Sequence, residues 1–199
     1  MRSMAVCVVL AAVVALTGCG RKERKEQAAE VERLAQAGGK EEVLVDSSKL
    51  SDPDKLKGLL PKSLPGMKRL EKASGGKIGS IGRRVSRGEV SFEGAEGELF
   101  DMSITDASGA KGLAAVPDAE WLIKDVKEDT DTKFAAVERK DGRRMYKEYN
   151  LNTRQGKVGI LVGDRFVVQI TGLNVEYQSI EALTNSIPFA TLERMAGAE

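Results

Sequence analysis

The sequence predicts an α+β domain, a mostly antiparallel sheet of hairpins covered by helices on one or both faces. Three observations carry this expectation. Segments with an apolar residue at every second position come in pairs joined by turn residues, the pattern of hairpins with one buried face. Stretches with helical apolar spacing stand singly between and after those pairs, and each needs a sheet to cover. No internal repeat at a solenoid period runs through the chain.

The elements follow in order. Residues 21–37 (RKERKEQAAEVERLAQA) are good helix formers with Ala28, Val31 and Leu34 or Ala35 at helical spacing, and Gly38-Gly39 stops them. This predicts a short solvated spacer helix, followed by a linker over residues 38–53 with no clear periodicity. The globular domain is expected over residues 54–199. Pro53 opens a helix over Asp54 to Leu60, and Pro61 with Leu64-Pro65-Gly66 turns the chain into an extended segment, Met67 to Lys72.

Val90 and Phe92 alternate with polar neighbours, Gly94-Ala95-Glu96-Gly97 turns the chain, and Phe100, Met102 and Ile104 alternate on the return. A second hairpin joins Phe134–Arg139 to Arg143–Asn150 through Asp141-Gly142, a pair that favours the type I′ turn. A third joins Lys157–Val162 to Phe166–Thr171 across Gly163-Asp164-Arg165. Its triplets Val158/Ile160/Val162 and Phe166/Val168/Ile170 are assigned to one buried face. If the opposite face is also covered, Leu161, Val167 and Gln169 are buried as well. Ala110 to Val126 is expected to be helical but interrupted at Pro117, with Trp121, Leu122 and Val126 on its apolar side. Asn174 is expected to cap a helix carrying Ile180, Leu183 and Ile187, and Phe189, Leu192 and Met195 repeat the spacing after Pro188. In element order alone, a sandwich with helices on both faces is similar to the small α/β/α sandwich of the photosystem II oxygen-evolving extrinsic proteins.

Composition restricts the chemistry. Lysine plus arginine number 31 against 30 acidic residues, a balance too even to attract nucleic acid. The chain has no histidine and 2 cysteines, Cys7 and Cys19, which removes histidine acid-base catalysis, Cys/His metal sites and a disulfide framework within the domain. No metal or cofactor is expected.

The N-terminal segment has an address. Arg2 precedes an uncharged run, Met4 to Leu16 (MAVCVVLAAVVAL), whose length falls in the range of about 7 to 15 residues for a signal peptide and short of the roughly 20 of a spanning helix. It ends in Leu16-Thr17-Gly18-Cys19, and LTGC resembles the lipobox of bacterial lipoproteins. The resemblance covers residues 1–19. It implies cleavage between Gly18 and Cys19, a diacylglycerol on the Cys19 thiol and an acyl chain, typically palmitate, on the new amino group. The mature protein would then be held at a membrane by lipid alone, since two or more chains anchor stably where one is marginal. Cys7, preceded by valine and almost no apolar run, reads as a residue of the discarded peptide. Arg21, Lys22, Arg24 and Lys25 follow the cleavage site, diluted by Glu23 and Glu26. Gly20 is not the aspartate associated with inner-membrane retention in enteric lipoproteins. The resemblance therefore points to the periplasmic face of the outer membrane in a Gram-negative cell and to the cell membrane otherwise.

Within the domain, candidate chemistries read as structure. Gly75-Gly76-Lys77-Ile78-Gly79 lacks the Gly-Lys-Ser/Thr ending of a phosphate loop and is expected to be a flexible connection. Glu128, Asp129 and Asp131 lack the glycine and closing glutamate of a calcium loop and are expected in a solvated loop. Asp106 or Ser108 is expected to cap backbone N–H groups where a strand enters a helix. Trp121, Tyr146, Tyr149 and Tyr177 are expected to pack as core and strand aromatics, with a shared binding surface as the alternative. Two functions remain: a lipid-anchored binding or assembly module of the cell envelope, with an envelope protein as possible partner, or a lipid-anchored envelope enzyme using carboxylates or a Ser-Lys pair.

Overall fold

Among the described residues nine strands pair antiparallel into one sheet, accompanied by a few short helices. The computed structural model describes residues 50–70, 77–80, 83–108 and 110–197. The expected signal segment with Cys7, Gly18 and Cys19, the expected spacer helix 21–37 and the expected linker up to residue 49 lie outside the described residues, as do Gly75 and Gly76.

Helix α1 (Pro53–Lys57) leads into strands β1 (Lys68–Leu70), β2 (Lys77–Ser80), β3 (Arg83–Glu93) and β4 (Leu99–Asp106). After helical turn α2 (Ala110–Leu113) and a 3-10 turn (Glu120–Leu122) come β5 (Lys127–Asp129), β6 (Lys133–Lys140), β7 (Arg143–Asn150), β8 (Gln155–Val162) and β9 (Phe166–Leu173). Helix α3 (Tyr177–Leu183), a 3-10 turn (Thr184–Ser186) and helix α4 (Phe189–Ala196) follow. The sheet order is β1-β3-β4-β9-β8-β7-β6-β5, with β2 also on β3, so the β3–β4 hairpin is sewn to the C-terminal strand.

All three predicted hairpins are present. Phe92 faces Phe100 and Val90 faces Met102 across the first. In the second, Asp141 (φ 51°) and Gly142 (φ 78°) both take positive φ, as a type I′ turn requires. In the third, Gly163 and Asp164 take positive φ, and Val158, Ile160 and Val162 face Ile170, Val168 and Phe166. All six of these side chains are buried in one cluster with Phe92, Phe100, Met102 and Ile104 of the first hairpin, Leu56 of α1, Ile180 of α3 and Leu192 of α4.

The opposite face is also buried near its centre. Val167 and Gln169 are 0% and 5% exposed, while Leu161 is half-buried. Trp121 lies so close to Gly159 that an added Cβ would come within 2.5 Å of the indole, so only glycine admits the ring there. Val85, Ala107, Val116 and Ala119 complete this smaller cluster.

Five expectations need correction. The segment 110–126 is not an interrupted helix: only α2 and the 3-10 turn are helical, because Gly112, Pro117 and the positive φ of Asp118 (53°) break the ladder. Trp121 is nevertheless buried as expected. Asn174 caps no helix. It takes φ 56° at the end of β9, and its Nδ2 donates to Glu96 O at 3.0 Å, while α3 starts three residues later without a side-chain cap. Ile187 lies past that helix, after the 3-10 turn, yet is buried. Lys77–Ser80 forms strand β2 against β3 rather than a loose connection. Glu128 and Asp129 belong to strand β5, held by its register to Ala135 and Phe134.

The first helix opens at Pro53, as expected, and ends at Lys57 rather than Leu60. Asp52 Oδ1 accepts from the N–H groups of Asp54 (2.9 Å) and Lys55 (3.3 Å), satisfying donors that the helix itself leaves open.

Candidate functional site

Antiparallel pairing places one row of polar side chains across the second face: Ser91, Asp101, Thr171, Lys157 and Glu148 are successive cross-strand neighbours, continued by Ala135 and Glu128. The Ser91 hydroxyl donates to Asp101 Oδ1. Lys157 Nζ donates to Asp118 O at 2.6 Å, and Gln169 Nε2 donates to Pro117 O at 3.1 Å, so two strands clamp the same turn. Burial lowers the Lys157 pKa, and nearby Asp118 and Glu148 oppose that shift. At the far end Lys133 Nζ bridges Glu128 (3.0 Å) and Glu148 (3.3 Å), and these hydrogen bonds raise its pKa. Tyr146 donates to Glu148 at 2.6 Å, and burial together with that carboxylate raises its hydroxyl pKa.

The charged members of this row are held in bonds within the fold. The Lys157 amine binds a carbonyl, and the Ser51 and Ser91 hydroxyls bind carboxylates, so the bonds described join none of these three as a Ser-Lys pair. A lysine in that position positions a turn; a nucleophile-base pair requires direct hydrogen-bond reach. Among the described residues no group of three or more acidic or cysteine side chains is placed to hold a metal ion.

The most buried charge lies elsewhere. Asp106, 0% exposed, receives both nitrogens of the Arg165 fork, Nε to Oδ1 and Nη2 to Oδ2, each at 3.0 Å. Ser51 adds its N–H (2.8 Å) and hydroxyl (2.6 Å) to Oδ2, and the Ser108 N–H adds 2.8 Å to Oδ1. Burial pushes the Asp106 pKa up, but these hydrogen bonds outweigh it and hold the carboxyl below its ordinary value. Asp106 therefore does cap a backbone N–H, as its sequence context suggests, and it also ties three distant segments together. The body reaches at least to Ser51, three residues before the predicted start.

The aromatics separate onto two faces. Trp121 stacks on Tyr146 on the second face at 5.9 Å and 10°. Phe134, Tyr149 and Tyr177 cluster on the first, with Phe134 and Tyr177 edge to face at 5.0 Å. Tyr149 donates to Val175 O at 2.7 Å in a buried bond. Tyr149→Phe should therefore cost about 1 kcal/mol, read as a lowered denaturation midpoint at unchanged slope.

Grooves open beside these clusters. One of about 360 Å³ runs along β5 and is walled by Phe134, Ala136, Lys147 and Tyr177. A second, of about 250 Å³, has Met145, Ile160 and Phe189 in its wall beside Arg143, whose guanidinium lies 4.5 Å over the Phe189 ring and is held by Glu193. A third, about 670 Å³, lies between the tips of the second and third hairpins and joins Arg139, Arg143 and Arg144 to Leu113, Leu122 and Leu161. Its charge is balanced by Asp141, Asp164 and Glu193.

No protein family, no curated protein and no solved structure matches the chain. Among the described residues no helix is long and apolar enough to cross a membrane.

Proposed function

We propose that the protein is a lipid-anchored lipoprotein of the cell envelope whose sheet domain acts as a binding or assembly module. The observation that carries this reading is LTGC at the end of a short apolar run, which puts Cys19 where a lipobox cysteine stands. The anchor is the lipid on Cys19, and the localisation is the periplasmic face of the outer membrane in a Gram-negative cell or the cell membrane otherwise. An envelope protein is the partner class. The domain supports a binding role through open grooves with mixed apolar and charged walls. Its finer architecture is a sheet with α1, α3 and α4 over one face and the 107–126 segment over the other, a reading supported by the burial of Leu56, Ile180, Leu192 and Trp121.

Intact-mass analysis of protein extracted from membranes tests the anchor. The expected mass is that of a chain beginning at Cys19 plus a diacylglycerol and an acyl chain, and Cys19→Ala should abolish the modification and release the domain from membranes. An unmodified amino terminus would overturn the reading.

A further inference from the structure

Among the described residues strand β5 ends the sheet, and its hydrogen bonds show which of its backbone groups no described residue pairs with. Val137 N–H donates to Val126 O and Thr130 N–H donates to Lys133 O, which fixes residues 126, 128 and 130 as those whose backbone faces β6. Antiparallel pairing alternates, so the N–H and C=O groups of Lys127 and Asp129 point away from the sheet. The strand is exposed along all three residues. A charged edge usually keeps other strands off. This one, Lys127-Glu128-Asp129, is complementary to its own reverse.

We propose that two copies of this chain pair antiparallel through β5 about a two-fold axis at Glu128. Lys127 of each copy then faces Asp129 of the other, and the two outward residues exchange four backbone hydrogen bonds with their counterparts. Opposite charges directly across an antiparallel pair stabilise it. The two Glu128 carboxylates meet at the axis, but each already carries Lys133 at 3.0 Å, which offsets their repulsion. The groove beside Phe134 and Tyr177 flanks the same edge, so the stem of the incoming Lys127 has an apolar wall to lie on. A contact this short makes a weak dimer, well under the size of a standard interface.

Site-specific disulfide trapping reads weak pairing. In the full chain carrying Cys7→Ser and Cys19→Ser, held in detergent, Glu128→Cys puts the two thiols in a non-hydrogen-bonded pair with Cα atoms about 4.5 Å apart, within disulfide reach. Mild oxidation should give a covalent homodimer at least ten times faster than for Lys127→Cys or Asp129→Cys. Adding Asp129→Lys to the Glu128→Cys chain should suppress trapping, and the swap Lys127→Asp with Asp129→Lys should restore it. All these side chains are exposed, so folding is not at stake. Equal trapping at the three positions, or trapping indifferent to the charge changes, overturns the pairing. A Glu128→Cys disulfide formed with a different protein in place of the homodimer overturns it too, in favour of a foreign strand.

Discussion

Asp106→Ala is expected to destabilise the domain by about 3–5 kcal/mol, the usual cost of removing one member of a buried ion pair. The substitution takes the Asp106 carboxylate away from Arg165, a residue only 8% exposed, and it orphans the Ser51 and Ser108 N–H groups together. The damage is also topological, since the Ala107 N–H bonds to Arg165 O at 3.0 Å and Arg165 reaches Met195 O in α4. Urea denaturation gives the magnitude. Replacing the pair together, Asp106→Leu with Arg165→Met, should recover most of the loss because no charge is then stranded. The pH dependence has a definite sign. The folded-state pKa lies below the unfolded value of about 3.9, so the carboxylate contributes its stability above that pH and loses it as pH falls through the folded value. Acid melts of the native protein should steepen below about pH 4, and the doubly substituted protein should lack that component. A loss under 1 kcal/mol for Asp106→Ala would remove the node from the fold's main supports.

The second large effect compares the two faces of the central strands. Ile160→Ala should cost about 2–5 kcal/mol through lost burial and a residual cavity. On the opposite face Gln169 is 5% exposed, and its amide holds the Pro117 and Asp118 carbonyls. Its truncation should therefore cost about 1–3 kcal/mol by stranding the Pro117 carbonyl, since Lys157 still binds that of Asp118, where a solvated glutamine would cost almost nothing. Denaturant melts of both proteins decide: a negligible loss at Gln169 would mean that the second face is open in solution.

The hairpins were legible because period two and turn chemistry are local signals that agree. Phe92 to Phe100 and Asp141-Gly142 needed no tertiary information. Gln169 shows where such signals stop, since its polarity suggests solvent while the chain that covers it comes from fifty residues away. The segment 110–126 was misread for a related reason: Trp121, Leu122 and Val126 have helical spacing, but Gly159 provides a flat seat for the indole that needs no helix. Asn174 offered a cap in composition and used its tolerance of positive φ instead. Asp129 and Glu128 gave no strand signal, because β5 is set by its register to β6 and by little of its own. Asp106 was visible as a cap, but its pairing with Arg165 across 59 positions was not. An arginine in a tight turn between the apolar ends of two strands, Ile160-Leu161-Val162 and Phe166-Val167-Val168, was the available clue.

The strand order has a consequence for how the chain reaches its native state. β5 through β9 form an uninterrupted meander in which each strand pairs with the one made just before it, while β4 must wait for β9. Asp106 opposite Phe166 marks that seam. The meander can zip from neighbour to neighbour at low entropic cost, whereas the seam closes a loop of some sixty residues and contributes most to the contact order. During synthesis from the amino end, the β3–β4 hairpin therefore emerges before the meander and remains with an unpaired, apolar flank until the last strand arrives. That interval is when the chain most needs protection from self-association.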